Sequence, residues 1–435
     1  MRINPSTLTL GLALLLGYSL QNATKHMKHL PIKSDPAIDN DVGKSFKQIC
    51  KENGFAIEQH FVTTSDGYIL QIFRVPGFLN ETAILENQPV QKPTVLLQHG
   101  LGADAGQWIM HRPEVAHAFV LARDGYDVWM GNNRGSQYGL EHETLDPNDP
   151  VDKPVFWNFD FEEMGTKDLP ATIDYILDQT GQDKLSYVGH SEGTTQFFIG
   201  ASLDNEYFTK KVNLFVALAP ITRIGHTQSS LMKLLASDSD HIEHILINDL
   251  GMYDMFPPNW LEQEATEALC SSSFGLPICE GFIELTADLD INVDDLSRIN
   301  TFLSHTPSGA GYRNFVHYAQ IIHSDRFQRY DWGAAKNVQV YNSTLPPLYP
   351  LEDLKNIPIA LLGGTLDELG SPTDVEWTYE TLKPNGNVVF YGQYKLGHLS
   401  FAIAKDMTFF TVDTMQLINK YATNKFATED TVFLQ

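Results

Sequence analysis

The sequence predicts an α/β protein, a mostly parallel sheet flanked by helices, with a long and mostly helical insertion. Three observations carry this expectation. Short β-rich runs bounded by Gly, Pro, Asn or Asp alternate with helix-like stretches through both outer parts of the chain. Several of those runs are apolar throughout, as strands buried on both faces are. The alternation then disappears between about residues 221 and 345.

In chain order the runs are YILQIFRV (68–75), TVLLQ (94–98), YDVWM (126–130), LSYVG (185–189), NLFVALA (213–219), IPIALLGG (357–364) and NVVFYG (387–392). Between them, residues 168–181 predict a helix, with Asp168 as N-cap, Pro170 in the first turn, Ile173, Ile176 and Leu177 at helical spacing, and Gly181 as the stop. The insertion follows a sheet strand, a placement that covers the carboxyl edge where open α/β sheets hold their sites. Its aromatics, Phe256, Trp260, Phe274, Phe282 and Phe302 among them, give it the composition of an apolar cover.

Composition narrows the compartment and the partners. Lys and Arg total 30 against 54 Asp and Glu, a net charge of -24. Such a surface repels phosphate backbones, which excludes nucleic acid as a partner class, and no obligate protein partner is evident. Residues 1–23 combine Arg2, an apolar stretch too short to span a bilayer, and small polar residues near Ala23, the pattern of a cleaved secretory signal. The expected division is 1–23 signal peptide, 24–220 first part of the core, 221–345 cap or lid, and 346–435 second part of the core. Asn80 and Asn342 open glycosylation triplets. Of the three cysteines, Cys270 and Cys279 in CSSSFGLPIC are able to close a short disulfide loop in an oxidising lumen, which leaves Cys50 unpaired. No Cys-x-x-Cys occurs, so a structural metal is unsupported.

The chemistry centres on GHSEG, residues 189–193. A turn that lifts a side chain to the top of a sheet crowds its neighbours, so the residues two before and two after Ser191 must lack bulk. Strand-like LSYV precedes the turn and helix-like TTQFFIGASL follows it, which makes Ser191 the candidate nucleophile. A serine needs a base, and the base an orienter, in the chain order Ser, Asp or Glu, His. The loop after IPIALLGG offers Asp367, Glu368 and Asp374; Asp367 is nearest the strand end, whereas Asp374 suits a helix cap. His398 is the one histidine downstream of NVVFYG. His190 should point away from the nucleophile. The oxyanion donors are expected to be the amides of Glu192 and Leu101, the latter in HGLGADAGQW after TVLLQ. No cofactor is required by such a set.

With these residues in hand, the chain resembles the acid lipase family of animals and other eukaryotes from about residue 45 to residue 421. The carriers include LLQHGLGADAGQWI, DVWMGNNRGSQY, YVGHSEGTTQF and HTPSGAGYRNFVHYAQIIHSDRFQRYDWG. The resemblance implies an α/β-hydrolase fold with an inserted helical cap, interfacial hydrolysis of neutral lipids such as triacylglycerols or steryl esters, and a secreted or lysosomal location. By the same resemblance Ser191, Asp367 and His398 match the family triad, Leu101 and Glu192 its oxyanion hole, and Cys270 and Cys279 a disulfide loop in its cap. Three departures stand out: the length of the loop carrying Asp367, Ser400 where many members have Asp, and Glu192 where Gln is common. A carboxylate at Glu192 suits the helix dipole but sets negative charge near a developing oxyanion, a conflict that protonation in an acidic lumen removes; the alternative is that its side chain points to solvent. Another esterase, thioesterase or peptidase on the same fold, or a catalytically silent lipid-binding protein, are the competing functions.

Overall fold

A computed structural model of the chain describes residues 40–86, 91–237, 243–249, 251–258, 290, 292–298, 301–302 and 304–422. Its strands are β1 (Glu58–Thr63), β2 (Tyr68–Val75), β3 (Thr94–Gln98), β4 (Asp127–Gly131), β5 (Glu141–His142), β6 (Leu185–His190), β7 (Val212–Leu218), β8 (Asp254–Met255), β9 (Ala310–Gly311), β10 (Ile359–Gly364) and β11 (Val388–Tyr394). Nine of them form one sheet in the order β1-β2-β4-β3-β6-β7-β10-β11, with β5 added to β2. From β4 to β11 every neighbour is parallel, and only the β1, β2 and β5 end is antiparallel.

The apolar runs are central because neither face meets water. β3, β4 and β6 are buried at every residue. Side chains alternate between the two faces, as the period of two demands: Leu96 packs into one core and Val95 and Leu97 into the other, and Tyr187 and Val188 divide in the same way. The edge strand β1 has exposed residues at alternate positions, so it offers no continuous apolar run to a reader of the sequence.

One local expectation is overturned. Asp168 is not an N-cap; it lies inside a continuous helical stretch that begins at Phe161, passes through a π turn (Met164–Asp168) and continues as Leu169–Thr180. The cap is Asp160, whose carboxylate accepts from the Glu162 amide while Glu163 reaches back to the Asp160 amide. Asp168 is drawn instead to the buried Arg134 guanidinium, which donates to it from Nε at 2.9 Å and also engages Asp66. A buried cation without that pairing would be far more costly than an uncapped turn. Gly181 does end the helix, at φ +66°.

Between β7 and β10 the described residues add no strand to the central sheet. They form helices Ser230–Ala236, Tyr312–Ser324 and Ala334–Tyr341, and the short antiparallel pair β8 and β9. Among the described residues no helix is long and apolar enough to cross a membrane. Residues 1–23, Trp260, Cys270, Phe274, Cys279 and Phe282 lie outside the described residues. Cys50 is a free, buried thiol that burial pushes up to about 12.

Leu96 is fully buried in the sheet centre. Leu96→Ala should lower stability by about 2–5 kcal/mol, read as a lower urea midpoint; an unchanged midpoint would contradict this packing.

Candidate active site

Ser191 stands where β6 ends and the helix Glu192–Leu203 begins, with φ +54° and ψ -119°. A non-glycine residue is held there only by surroundings that leave no alternative. The glycines supply the room. A methyl group at Gly189 would lie 2.6 Å from the Gly193 carbonyl oxygen, and one at Gly193 would lie 2.4 Å from the Gln98 carbonyl oxygen. Strand, turn and helix are therefore packed backbone to backbone. Gly100, after β3, faces the serine so closely that a methyl there would be 2.9 Å from Ser191 Cβ.

The structure brings together the three side chains named from the sequence. Ser191 Oγ lies 2.7 Å from His398 Nε2, and His398 Nδ1 lies 2.8 Å from Asp367 Oδ2. All three residues are buried. With Asp367 ionised, Nδ1 carries the proton it donates to the carboxylate, and Nε2 accepts from the serine hydroxyl. The second carboxylate oxygen of Asp367 accepts from the amides of Leu369 at 2.9 Å and Gly370 at 2.6 Å, which fixes its plane. Glu368 is exposed. Asp374 sits in the first turn of the helix Pro372–Leu382, whose cap is Ser371, and its carboxylate accepts from His226.

His398 is braced from two sides. His190 does point away from Ser191 Oγ: its Nε2 donates to the His398 carbonyl at 3.0 Å, and burial pushes its pKa down to about 3, which keeps it neutral. Ser400 Oγ accepts from the Gly397 amide at 3.0 Å and pairs with Asp294, contributed by the segment between β7 and β10. A carboxyl from a distant part of the chain thus meets Ser400 beneath the His398 loop.

The two expected oxyanion amides flank the serine. Glu192 opens its helix, where the first amides have no intrahelical acceptor. Leu101 lines the same pocket as Ser191 and His398. Its orientation depends on a residue the sequence reading passed over. His99 Nδ1 donates to the Gly100 carbonyl at 2.8 Å, while His99 Nε2 accepts from the Asn133 amide at 3.1 Å. Because a trans peptide sets N–H opposite C=O, holding the Gly100 carbonyl also sets the direction of the Leu101 N–H. Burial lowers the His99 pKa, and a ring that accepts from the Asn133 amide at Nε2 while donating from Nδ1 is the neutral form.

The Glu192 side chain does not point to solvent; the residue is 2% exposed. Asn133 Nδ2 reaches one carboxyl oxygen at 3.2 Å and Asn314 Nδ2 the other at 2.9 Å. Burial, reinforced by the nearby charge of Asp160, pushes its pKa up to about 8. At acid and neutral pH the carboxyl therefore keeps its proton and is close in shape and charge to Gln. The expected charge conflict moves to alkaline pH.

The pocket over Ser191 is apolar, walled by Leu101, Ile221, Ile224, Met232, Phe302 and Leu369. Phe256 instead packs edge to face on Phe315 within the insertion. Asn80 and Asn342 are both exposed. Exposed His226 and Asp325 cluster with the buried Asp374, but Arg223 Nε approaches Asp325 at 3.3 Å and Asp374 at 3.4 Å, so a cation already meets these carboxylates.

Fold and constellation define an α/β-hydrolase. Residues 93–269 match the family model described as alpha/beta hydrolase fold, and residues 46–112 the one described as partial alpha/beta-hydrolase lipase region. A solved structure from Sulfolobus solfataricus shares the fold at TM-score 0.50 and 12% identity, over 84% of this chain and 95% of that one. Among curated relatives, Lipase member K of Homo sapiens is 37% identical over 84% of this chain and 88% of its own length. Gastric triacylglycerol lipase of Bos taurus is 38% identical over 81% and 85%. The chain belongs to the acid lipase family and is a carboxylic ester hydrolase.

Two outcomes follow from this geometry. Gly193→Ala should cost about 1–3 kcal/mol through overpacking and suppress Ser191 labelling by an organophosphonate; undiminished labelling would contradict the close approach. For Glu192 the folded value of about 8 lies above the ordinary 4.5, so its contribution to stability is complete below about 4.5 and is lost as pH rises through about 8. Thermal scans should show Glu192→Gln losing less melting temperature than the parent across that window. Equal losses would contradict a neutral, buried carboxyl.

Proposed function

We propose that the protein is a lipase of the secretory pathway that hydrolyses neutral lipid esters, triacylglycerols or steryl esters, at a lipid–water interface through an acyl-enzyme on Ser191. The observation that carries this reading is the unbroken relay from Ser191 Oγ to His398 Nε2 and from His398 Nδ1 to Asp367, at the floor of an apolar pocket. His398 takes the serine proton as Oγ bonds to the ester carbonyl carbon, and the carbonyl electron pair moves to oxygen. The Leu101 and Glu192 amides receive the resulting oxyanion. On collapse the carbon–alkoxy bond breaks and His398 returns the proton to the departing alcohol. Water then repeats the sequence on the acyl-enzyme and releases the fatty acid.

The apolar lining supports an acyl chain, which loses about 0.8 kcal/mol of favourable transfer per CH₂ if left in water. Residues 24–220 and 346–435 would form the hydrolase core and 221–345 the cap, with residues 1–23 as the signal and Asn80 and Asn342 as glycan acceptors. A bridge between Cys270 and Cys279 would brace that cap. Passage through the secretory route, with a destination in the lysosome or outside the cell, agrees with these features.

Emulsified triolein and cholesteryl oleate, compared with soluble short esters, test the substrate class. Hydrolysis of the emulsions is expected, and Ser191→Ala should reduce it by at least about 10⁴-fold. Activity confined to soluble esters would argue for a general carboxylesterase or thioesterase, and activity retained in Ser191→Ala would remove the nucleophile from the scheme.

A further inference from the structure

The loop after β3 carries one polar group that the mechanism above leaves unused. Ala105–Trp108 is a single 3₁₀ turn capped by Asp104, whose Oδ1 accepts from the Gly106 amide at 2.7 Å and whose Oδ2 accepts from Gln137 Nε2 at 2.5 Å. The Ala105 amide is tied to Asn132 Oδ1 at 2.8 Å. The turn is thereby anchored to the far end of β4, and it sends the Gln107 side chain back beside Gly100.

Gln107 Oε1 accepts from the Gly100 amide at 3.4 Å. That contact decides which way the carboxamide faces, because Nε2 has no lone pair with which to accept from an N–H. Nε2 is consequently set on the other side. It is buried and has no hydrogen-bond partner among the described residues. Gln107 is 5% exposed and lines the pocket that holds Leu101, Ser191 and His398. An unmet buried donor is costly, of the order of 1–3 kcal/mol, and here it belongs to a side chain anchored one residue from the Leu101 amide.

We propose that Gln107 Nε2 is a third donor of the oxyanion hole, hydrogen-bonding to the ester carbonyl oxygen as that oxygen gains negative charge. The inference deepens the serine-esterase reading and rests on it. No proton leaves Gln107: the serine proton passes to His398 and then to the alcohol, while the Gln107 N–H only shortens its bond to the oxygen as the carbonyl π electrons settle there. A neutral amide donor keeps the same charge at acid and neutral pH, so its contribution does not depend on the compartment. Gln107 would thus be a catalytic residue, whereas His99 acts through the Gly100–Leu101 peptide and is a positioning residue.

Gln107→Glu separates the two ends of the side chain. It keeps an oxygen for the Gly100 amide and replaces the donor with an acceptor. On a soluble short ester at alkaline pH, where a buried carboxyl ionises, kcat should fall about 10²–10³-fold relative to the parent, with KM changed by no more than about threefold. The ratio of variant to parent should recover on acidification, as the new carboxyl gains a proton it can donate. Gln107→Met should stay low at every pH. Parent-like kcat in Gln107→Met, or in Gln107→Glu at alkaline pH, would overturn the proposal. Should neither variant fold by circular dichroism, the structure of the parent phosphonylated at Ser191 decides: a phosphoryl oxygen within about 3.2 Å of Nε2 is expected, and one beyond about 4 Å overturns the assignment. Failure of the parent to label at Ser191 would overturn the triad reading itself, and this inference with it.

Discussion

The whole site depends on one strained residue. Ser191 occupies φ +54° and ψ -119° between a fully buried strand and a helix buried along nearly all its length. Such a conformation costs on the order of 1–3 kcal/mol, which the burial of Tyr187, Val188, Phe197 and Phe198 offsets at about 1.5–3 kcal/mol for each large apolar side chain. The strain also explains the glycines on either side and the closeness of Gly100. Any relaxation of the turn toward ordinary angles would swing Oγ away from His398.

Around that turn the protein has assembled buried polar groups whose charged forms burial disfavours. Burial lowers the pKa of His190 to about 3, lowers that of His99, and raises that of Glu192 to about 8. Each shares a hydrogen bond with a backbone or amide partner near the reacting groups: His190 with the His398 carbonyl, His99 with the Gly100 carbonyl, and Glu192 with Asn133 and Asn314. The negative charge beside the base belongs to Asp367. That separation matters in a chain with a net charge of -24, where a further ionised carboxylate beside the oxyanion would oppose the reaction it is meant to help.

What the sequence discloses follows from the range of the interactions concerned. The seven runs read as strands lie within two residues of the observed bounds, since apolar runs and turn residues are local signals. β1 escapes because its alternating, half-exposed pattern is broken by charge. Ser191, Asp367 and His398 were legible because a strained turn demands glycines and because chain order limits the choices. Asp168 misled because its partner, Arg134, lies 34 residues away and competes with the local capping role. His99, Asn133, Asp294 and Gln107 carried no motif of their own. Asn133 and Asp294 act through contacts across the sheet or from the segment between β7 and β10, whereas His99 and Gln107 lie within HGLGADAGQW and only the folded turn of that loop brings both onto Gly100.

The account stands on the claim that His398 is held in the correct tautomer by Asp367 and draws the proton from Ser191. The rate of Ser191 phosphonylation in Asp367→Asn tests this directly, because it isolates nucleophile activation from lipid binding and cap movement. A fall of about 10⁴-fold is predicted, since an amide donor opposite Nδ1 favours the wrong tautomer. A rate equal to that of the parent would contradict the relay.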